Sequence, residues 1–362
     1  MTPPRASTVI LGQIVVAALP DGLERADAIG IADDRVVVTG RRDEVLDAAA
    51  PGARIIDERD RVVIPGLHDF HLHLVNVARA RREVALADLH SSDELLATVA
   101  EAAARLPDGA WLLGRGWSEA LLPPSVAVAL QSLVGAHPAM LVSHDGHSLW
   151  ASPAALQLAG LSSASSDAPG GRFERDEKGR LTGVLRERAI GAVVAVARRL
   201  EGGDLVPALD ETLAELAAFG ITGATDAGDY DTSGGVGEWA ELGDSFSNLA
   251  GAHLRGRFHL TLNVPAAGVP AAAARGLRSG TPIGEDLRVG WAKLHADGAL
   301  GSRTAALFAP YSCGSHEETG IMRATPAQLD ALIARGRSAG ISLAIHAIGD
   351  RAVAEVLDAF QR

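Results

Sequence analysis

Cysteine is nearly absent. The one residue of this type, Cys313, allows no intrachain disulfide and no cysteine-based zinc knuckle, which points to a reducing, cytoplasmic compartment. Positive charge is in deficit, with 33 basic against 45 acidic side chains and a net charge of −12, so a nucleic-acid or anionic-membrane surface is excluded as the main partner. A small neutral or cationic molecule fits better. Long apolar runs are lacking too: none approaches the ~20 residues of a membrane helix. The N-terminal run is broken by Gly12 and Gln13 and is followed by no small-residue cleavage site, so it reads as a strand rather than a signal peptide. Aromatic residues make up only 4%, and Trp111, Trp117 and Trp150 all fall in one segment, where they either pack it or, for Trp117, line a substrate pocket.

What the 362 residues do hold is 47% hydrophobic side chains and 40 glycines, enough for one large domain with an appendage or for two ordinary domains. From Ser7 to about Val63 short β-like runs are punctuated by turns, with Asp33-Asp34 as a hairpin, so residues 1–63 read as a small β unit. After Pro65-Gly66 apolar strands alternate with longer helical stretches, the pattern of a parallel α/β architecture over residues 64–362. Ser91 with Glu94, and Thr325-Pro326 with Gly340, mark helix ends, and Gly220 closes another helix. Strands are expected at Ile221–Gly228, Arg257–Val264, Arg288–Gly298 and Ile341–Asp350. Residues 80–204 do not keep the strand–helix rhythm and read as an insertion over the strand ends, with a polar hairpin bent at Gly170-Gly171 and Lys178-Gly179-Arg180.

Three clusters carry chemistry. In "VIPGLHDFHLHL", His71 and His73 share a strand face, and two imidazoles so placed can hold one divalent ion at ~2.0–2.1 Å. The alternative is a pair of hydrogen-bonded core histidines, but strand C-terminal ends are where α/β proteins keep their sites. In "WAKLHADGALGSRTA", Lys293, His295 and Asp297 alternate with Ala292, Leu294 and Ala296, placing a cation, an imidazole and a carboxylate inward. A buried lysine is costly unless paired or neutralised, either by an ion pair or by carboxylation of its amine to an anionic oxygen ligand. In "LAIHAIGDRA", His346 shares its face with small residues, while Asp350 reads as a helix cap.

Together with "WLLGRGWSE", "DGHSLWAS" and "PGGRFERDEKGRLTGVLRE", these strings resemble the YtcJ-like branch of the amidohydrolase superfamily, also called amidohydrolase family 3, in order along essentially the whole chain. The resemblance implies a TIM-like barrel of eight β/α units carrying a small β-sandwich, with metal at the C-terminal ends of the strands. It implies one or two zinc-like ions on His71, His73, Lys293 and His346, with Lys293 as a carboxylated bridge. By the same resemblance Lys293, His346 and Asp297 stand in the catalytic set, and His147, Arg303 and Trp117 in the substrate pocket; for His147 a plain loop histidine is the alternative. The implied reaction is hydrolysis of a non-peptide carbon–nitrogen bond, in an amide, N-acyl or N-formyl small molecule, by metal-activated water.

Relatives of this kind continue past the "HAIGDRAV" helix with a strand bearing another histidine and a strand bearing a catalytic aspartate. Five of eight barrel strands are counted here, at Leu67, Ile221, Phe258, Val289 and Leu343, so the barrel is expected to be incomplete at the C-terminus. Three expectations follow: a fragment of a longer enzyme; a chain completed by a partner or by self-association as a homo-oligomer, since open parallel edges invite pairing; or a truncated homologue that keeps metal or ligand binding without catalysis.

Overall fold

The computed structural model describes residues 4–200, 205–228, 237–252, 258–312 and 318–362. Cys313 and Arg257 lie outside the described residues. The chain divides into two compact units, Met1–Leu67 and His68–Arg362.

The first unit is one sheet of order β3-β2-β1-β4, built from β1 (Ala6–Leu19), β2 (Gly22–Ala32), β3 (Arg35–Gly40) and β4 (Ala49–Val63), with helix α1 (Arg42–Asp47) before β4. Asp33 and Asp34 both take left-handed backbone, with φ of 47° and 61°, as a tight two-residue hairpin between right-twisted strands requires. Among the described residues these strands form one four-stranded sheet whose apolar side chains, Ala6, Val9, Leu11 and Ala28, pack with Val45 of α1.

The second unit opens with β5 (Leu67–Leu72) and α2 (Leu74–Ala80) and then enters the insertion. There β6 (Val84–Ala85), α3 (Ser92–Arg105), β7 (Leu112–Trp117), α4 (Pro124–Val134) and β8 (Ala139–Ser143) lead to β9 (Ser148–Ala151), α5 (Pro153–Leu158), β10 (Gly171–Arg175), β11 (Leu181–Glu187) and α6 (Gly191–Leu200). These strands form a six-stranded sheet of order β10-β11-β9-β8-β7-β6, parallel across β6, β7 and β8 and antiparallel beyond. The strand–helix rhythm therefore persists into the insertion. It was illegible because β6 is two residues long, too short for a hydrophobic period to register. The polar hairpin forms as expected, with Gly170 and Gly179 at φ of 76° and 75°.

The remaining elements are α7 (Val206–Ala218), β12 (Ile221–Asp226), α8 (Asp244–Gly251), β13 (His259–Pro265), α9 (Val269–Ala274), β14 (Leu287–His295), α10 (Pro326–Ala339), β15 (Leu343–His346) and α11 (Asp350–Gln361). The five strands counted from sequence form one sheet of order β15-β14-β13-β12-β5, with parallel pairing from β12 through β15. Apolar side chains from this sheet, such as Leu260, Leu262 and Ala292, bury against Leu74 of α2, Leu209 of α7, Phe246 of α8 and Val269 of α9. A register shift between Leu262 and Val264 turns Ala292 and Leu294 toward the apolar core. Lys293 and His295, alternating with them, then point to the opposite face. No helix among the described residues is long and apolar enough to cross a membrane.

Candidate functional site

At the end of β5 the strand stops at Leu72, and His73 becomes the N-cap residue of α2, with φ −90° and ψ 73°. The rings of His71 and His73 lie 5.5 Å apart between centroids. His73 Nδ1 is 2.7 Å from the Gly228 carbonyl oxygen. A carbonyl only accepts, so Nδ1 carries the proton and Nε2 the lone pair, the tautomer a metal-ligating imidazole needs. Asp226 at the end of β12 sets this arrangement: its carboxylate accepts from Leu74 N at 2.9 Å, Gly228 N at 2.8 Å and the Ser245 hydroxyl at 2.7 Å. Asp69 caps the His71 backbone N–H at 3.0 Å. His68 stands apart, with Nε2 3.0 Å from the Thr225 hydroxyl, and the bare Cα of Gly223 makes room for it, since a Cβ there would lie 2.6 Å from His68 Nδ1.

Lys293 stands next to this pair. A Cβ on Gly228, whose carbonyl holds His73, would lie 3.9 Å from the Lys293 Cβ. The lysine is only 6% exposed, and burial pushes its pKa below the ordinary value. Burial likewise pulls His73 down to about 4, only partly offset by the bond to Gly228 and reinforced by the nearby Lys293 charge. His71 is lowered by partial burial and by Lys293, against a weaker opposing pull from Asp69.

A second imidazole group lies on the other side. The parallel register sets His295 of β14 opposite His346 of β15, and their ring centroids are 5.0 Å apart. The turn between β8 and β9 of the insertion adds His147, 5.4 Å from His346 and 6.4 Å from His295. Burial first, then the charges of Arg323 and Lys293, drive His295 well below its usual pKa, and burial lowers His346 as well. His147 Nδ1 lies 3.0 Å and 3.2 Å from the two carboxylate oxygens of Glu187, which also accepts from Arg323 at 2.9 Å. This packing demands glycine at 298, because a Cβ there would meet Glu187 Oε1 and Thr304 Oγ1 at 2.0 Å.

The structure thus brings His71, His73, Lys293, His346 and His147 to the same strand ends and adds three residues that sequence reasoning missed as site members: His295, Glu187 and Asp226. His295 was visible two positions after Lys293; Glu187 and Asp226 carried no signal, since their roles depend on partners 40 and 152 residues away. Trp117 is 1% exposed, donates its indole N–H to the Leu141 carbonyl and packs in the core of the insertion. Arg303 sits at φ 55° in the loop after β14 with its guanidinium 3.7 Å from Glu318. Asp297 is fully buried and accepts from the backbone N–H groups of Ala306, Ile348 and Gly349.

Among the described residues no group of three or more His, Cys, Asp or Glu side chains is arranged to hold a metal. Beside the His71 and His73 pair, the Lys293 amine is a further donor group, close enough for its charge to act on both imidazoles. The buried amine fits that role, because burial disfavours its proton and a deprotonated nitrogen, or the carbamate formed from it, can donate.

Comparison with known proteins is consistent along the chain. The profile of the "Amidohydrolase family" matches residues 54–362. YtcJ of Bacillus subtilis (strain 168), an amidohydrolase by name, is 28% identical over 97% of this chain and 65% of its own length. The N-substituted formamide deformylase of Arthrobacter pascens is 28% identical over 93% of this chain and 62% of its own. The chain thus spans less than two thirds of the length of these curated relatives. The crystal structure of an uncharacterized metal-dependent hydrolase from Pyrococcus horikoshii OT3 shares the fold, with a TM-score of 0.69 and 22% identity, covering 98% of this chain and 68% of that one.

Proposed function

Since this chain belongs to the amidohydrolase family, we propose that it is a metal-dependent hydrolase of carbon–nitrogen bonds other than peptide bonds, acting on an amide, N-acyl or N-formyl small molecule. The observation that carries the reading is Lys293, only 6% exposed and two residues before His295, whose ring lies 5.0 Å from His346, with the lysine charge also acting on His71 and His73. We infer a division of labour in which residues 64–362, with the insertion near 80–204, hold the whole site, and residues 1–63 hold none of it.

His71, His73, Lys293 and His346 would hold one or two divalent ions, zinc being suited to imidazole donors. Bound there, such an ion supplies a water of near-neutral pKa and polarises the scissile carbonyl. The protein's share is orientation. Gly228 fixes the His73 tautomer, and Lys293, once its ammonium has given up a proton, would add carbon dioxide and release a second proton to become an anionic oxygen donor. His147, tied to Glu187, walls the pocket from the insertion side. In the net reaction the C–N bond breaks, water oxygen joins the carbonyl carbon, and a proton passes to the leaving nitrogen.

A second reading, metal or ligand binding without turnover, is favoured by one observation. Among the described residues the buried acids near the imidazoles are already engaged: Asp297 and Asp226 by backbone N–H groups, and Glu187 by His147 and Arg323. One experiment decides between them. Chelator-washed protein reloaded with zinc is expected to retain one or two ions per chain, and to lose them in H71A and H73A. It is expected to hydrolyse a panel headed by N-substituted formamides, chosen because one relative carries that activity in its name. Retained metal without turnover on the panel selects the second reading; a wild-type chain that keeps no metal sinks both.

A further inference from the structure

Asp297 is 0% exposed and stands at the crossing of two connections, the loop after β14 and the turn after β15. Its Oδ2 accepts from Ala306 N at 2.8 Å and from Gly349 N at 2.8 Å, and its Oδ1 from Ile348 N at 3.0 Å. Two buried backbone donors and a part-buried one are satisfied by one side chain, so removing the carboxylate would leave the buried pair unpaired. The two connections touch closely: a Cβ on Gly349 would lie 1.9 Å from the Ala306 carbonyl oxygen. His346 lies just before the clamped turn, and its Nε2 is 3.0 Å from the carbonyl oxygen of Gly298, the residue after Asp297. The carboxylate itself is 3.8 Å from that nitrogen, beyond hydrogen-bond reach.

We infer that Asp297 is a positioning residue for His346: by fastening the turn at 348–349 to the loop at 298–306, it holds Nε2–H on the Gly298 carbonyl and leaves Nδ1 as the nitrogen that carries the lone pair. The resemblance places Asp297 in the catalytic set, but its two oxygens accept three backbone N–H groups, which ties the carboxylate to the two connections. It acts through His346 instead. The metal arm of the test rests on the proposed function; the tautomer arm does not.

The experiment is a long-range proton–nitrogen correlation spectrum of protein labelled with 15N-histidine, with His346 assigned from H346Q. Wild type is expected to show His346 as the Nε2–H tautomer. In Asp297→Asn one acceptor oxygen is replaced by an amide NH2 that faces a backbone N–H, so the His346 signal is expected to lose that tautomer. His73, held on Gly228, should be unchanged and so reports that the fold persists. Zinc affinity is expected to fall about 10- to 100-fold, as for other loss of ligand orientation. His346 as Nδ1–H in wild type overturns the inference, and so does an unchanged His346 signal in folded D297N, whatever the zinc affinity. If D297N does not fold, amide exchange in wild type decides: slow exchange at Ala306, Ile348 and Gly349 supports the clamp, and exchange as fast as in exposed loops overturns it. A wild-type chain that binds no zinc defeats the hydrolase reading while the spectrum still decides the role of Asp297.

Discussion

Lys293 shows at the residue scale how a functional site is held against stability. A cationic side chain at 6% exposure, with its pKa lowered by burial alone, destabilises the fold relative to an apolar residue of the same length. Lys293→Met is therefore expected to raise the unfolding free energy of the metal-free protein, read from urea titration, by about 1–3 kcal/mol, the scale of a relieved desolvation penalty, and to weaken zinc retention in the same sample. A lower midpoint in K293M would mean that the ammonium is stabilised by its surroundings. The alternation of Lys293 and His295 with Ala292 and Leu294 made the inward lysine legible before any coordinates. Trp117 was not legible in the same way, because a tryptophan that packs a core and one that lines a pocket look identical in sequence, and only its bond to Leu141 separates them.

Among the elements, the helices with local signals were the legible ones. Thr325 and Gln328 form a reciprocal capping box, and Gly340 closes α10 in the left-handed conformation at φ 69°. Ser91 caps α3 as its spacing suggests, but the Glu94 carboxylate reaches His90 N at 2.7 Å and not the N-cap residue. The packing of α2 on α8 had no such signal. It rests on Arg79 and Asp244, paired at 2.6 Å and 3.3 Å with side chains 8% and 6% exposed. Removing one partner of a buried pair leaves a charge in a low dielectric, so D244A is expected to cost about 3–5 kcal/mol in urea unfolding. The double variant R79M/D244L should recover most of that loss; failure to recover would show that shape, and not charge, holds the two helices.

For the molecule as a whole, the buried imidazoles tie stability to pH. His73 is pulled from an ordinary value near 6.5 to about 4, chiefly by burial, and His295 and His346 move in the same direction. The folded state thus prefers these rings neutral. In the unfolded chain they take up protons near 6.5, so stability is fully present above that pH and is lost as pH falls toward the folded value. For His73 the whole window is worth about 3 kcal/mol. Burial alone would raise Glu174, but Arg186 and Arg172 outweigh it and lower its pKa, so this carboxylate extends the loss to more acid pH. The metal-free protein is expected to show a falling urea midpoint from pH 7 to pH 5, with a shallower fall in H73Q. A midpoint flat across that range would contradict the burial of these rings.

The sequence alone determined the parallel α/β class, the strands of the five-stranded sheet and most helix ends, and singled out His71, His73, Lys293 and His346 as candidates, because period, caps and motif spacing are local properties of the chain. Only the tertiary structure decided which partners complete the site. His147 reaches His346 because the insertion folds back over the strand ends, Glu187 orients it from 40 residues away, and Asp226 sets the turn that holds His73. Asp297 likewise changes meaning, from a motif acid to a clamp, once its three backbone donors are seen. Such roles depend on which unpaired N–H, charge or ring nitrogen the folded chain brings within hydrogen-bond distance, and contacts between residues far apart in sequence leave no period to read.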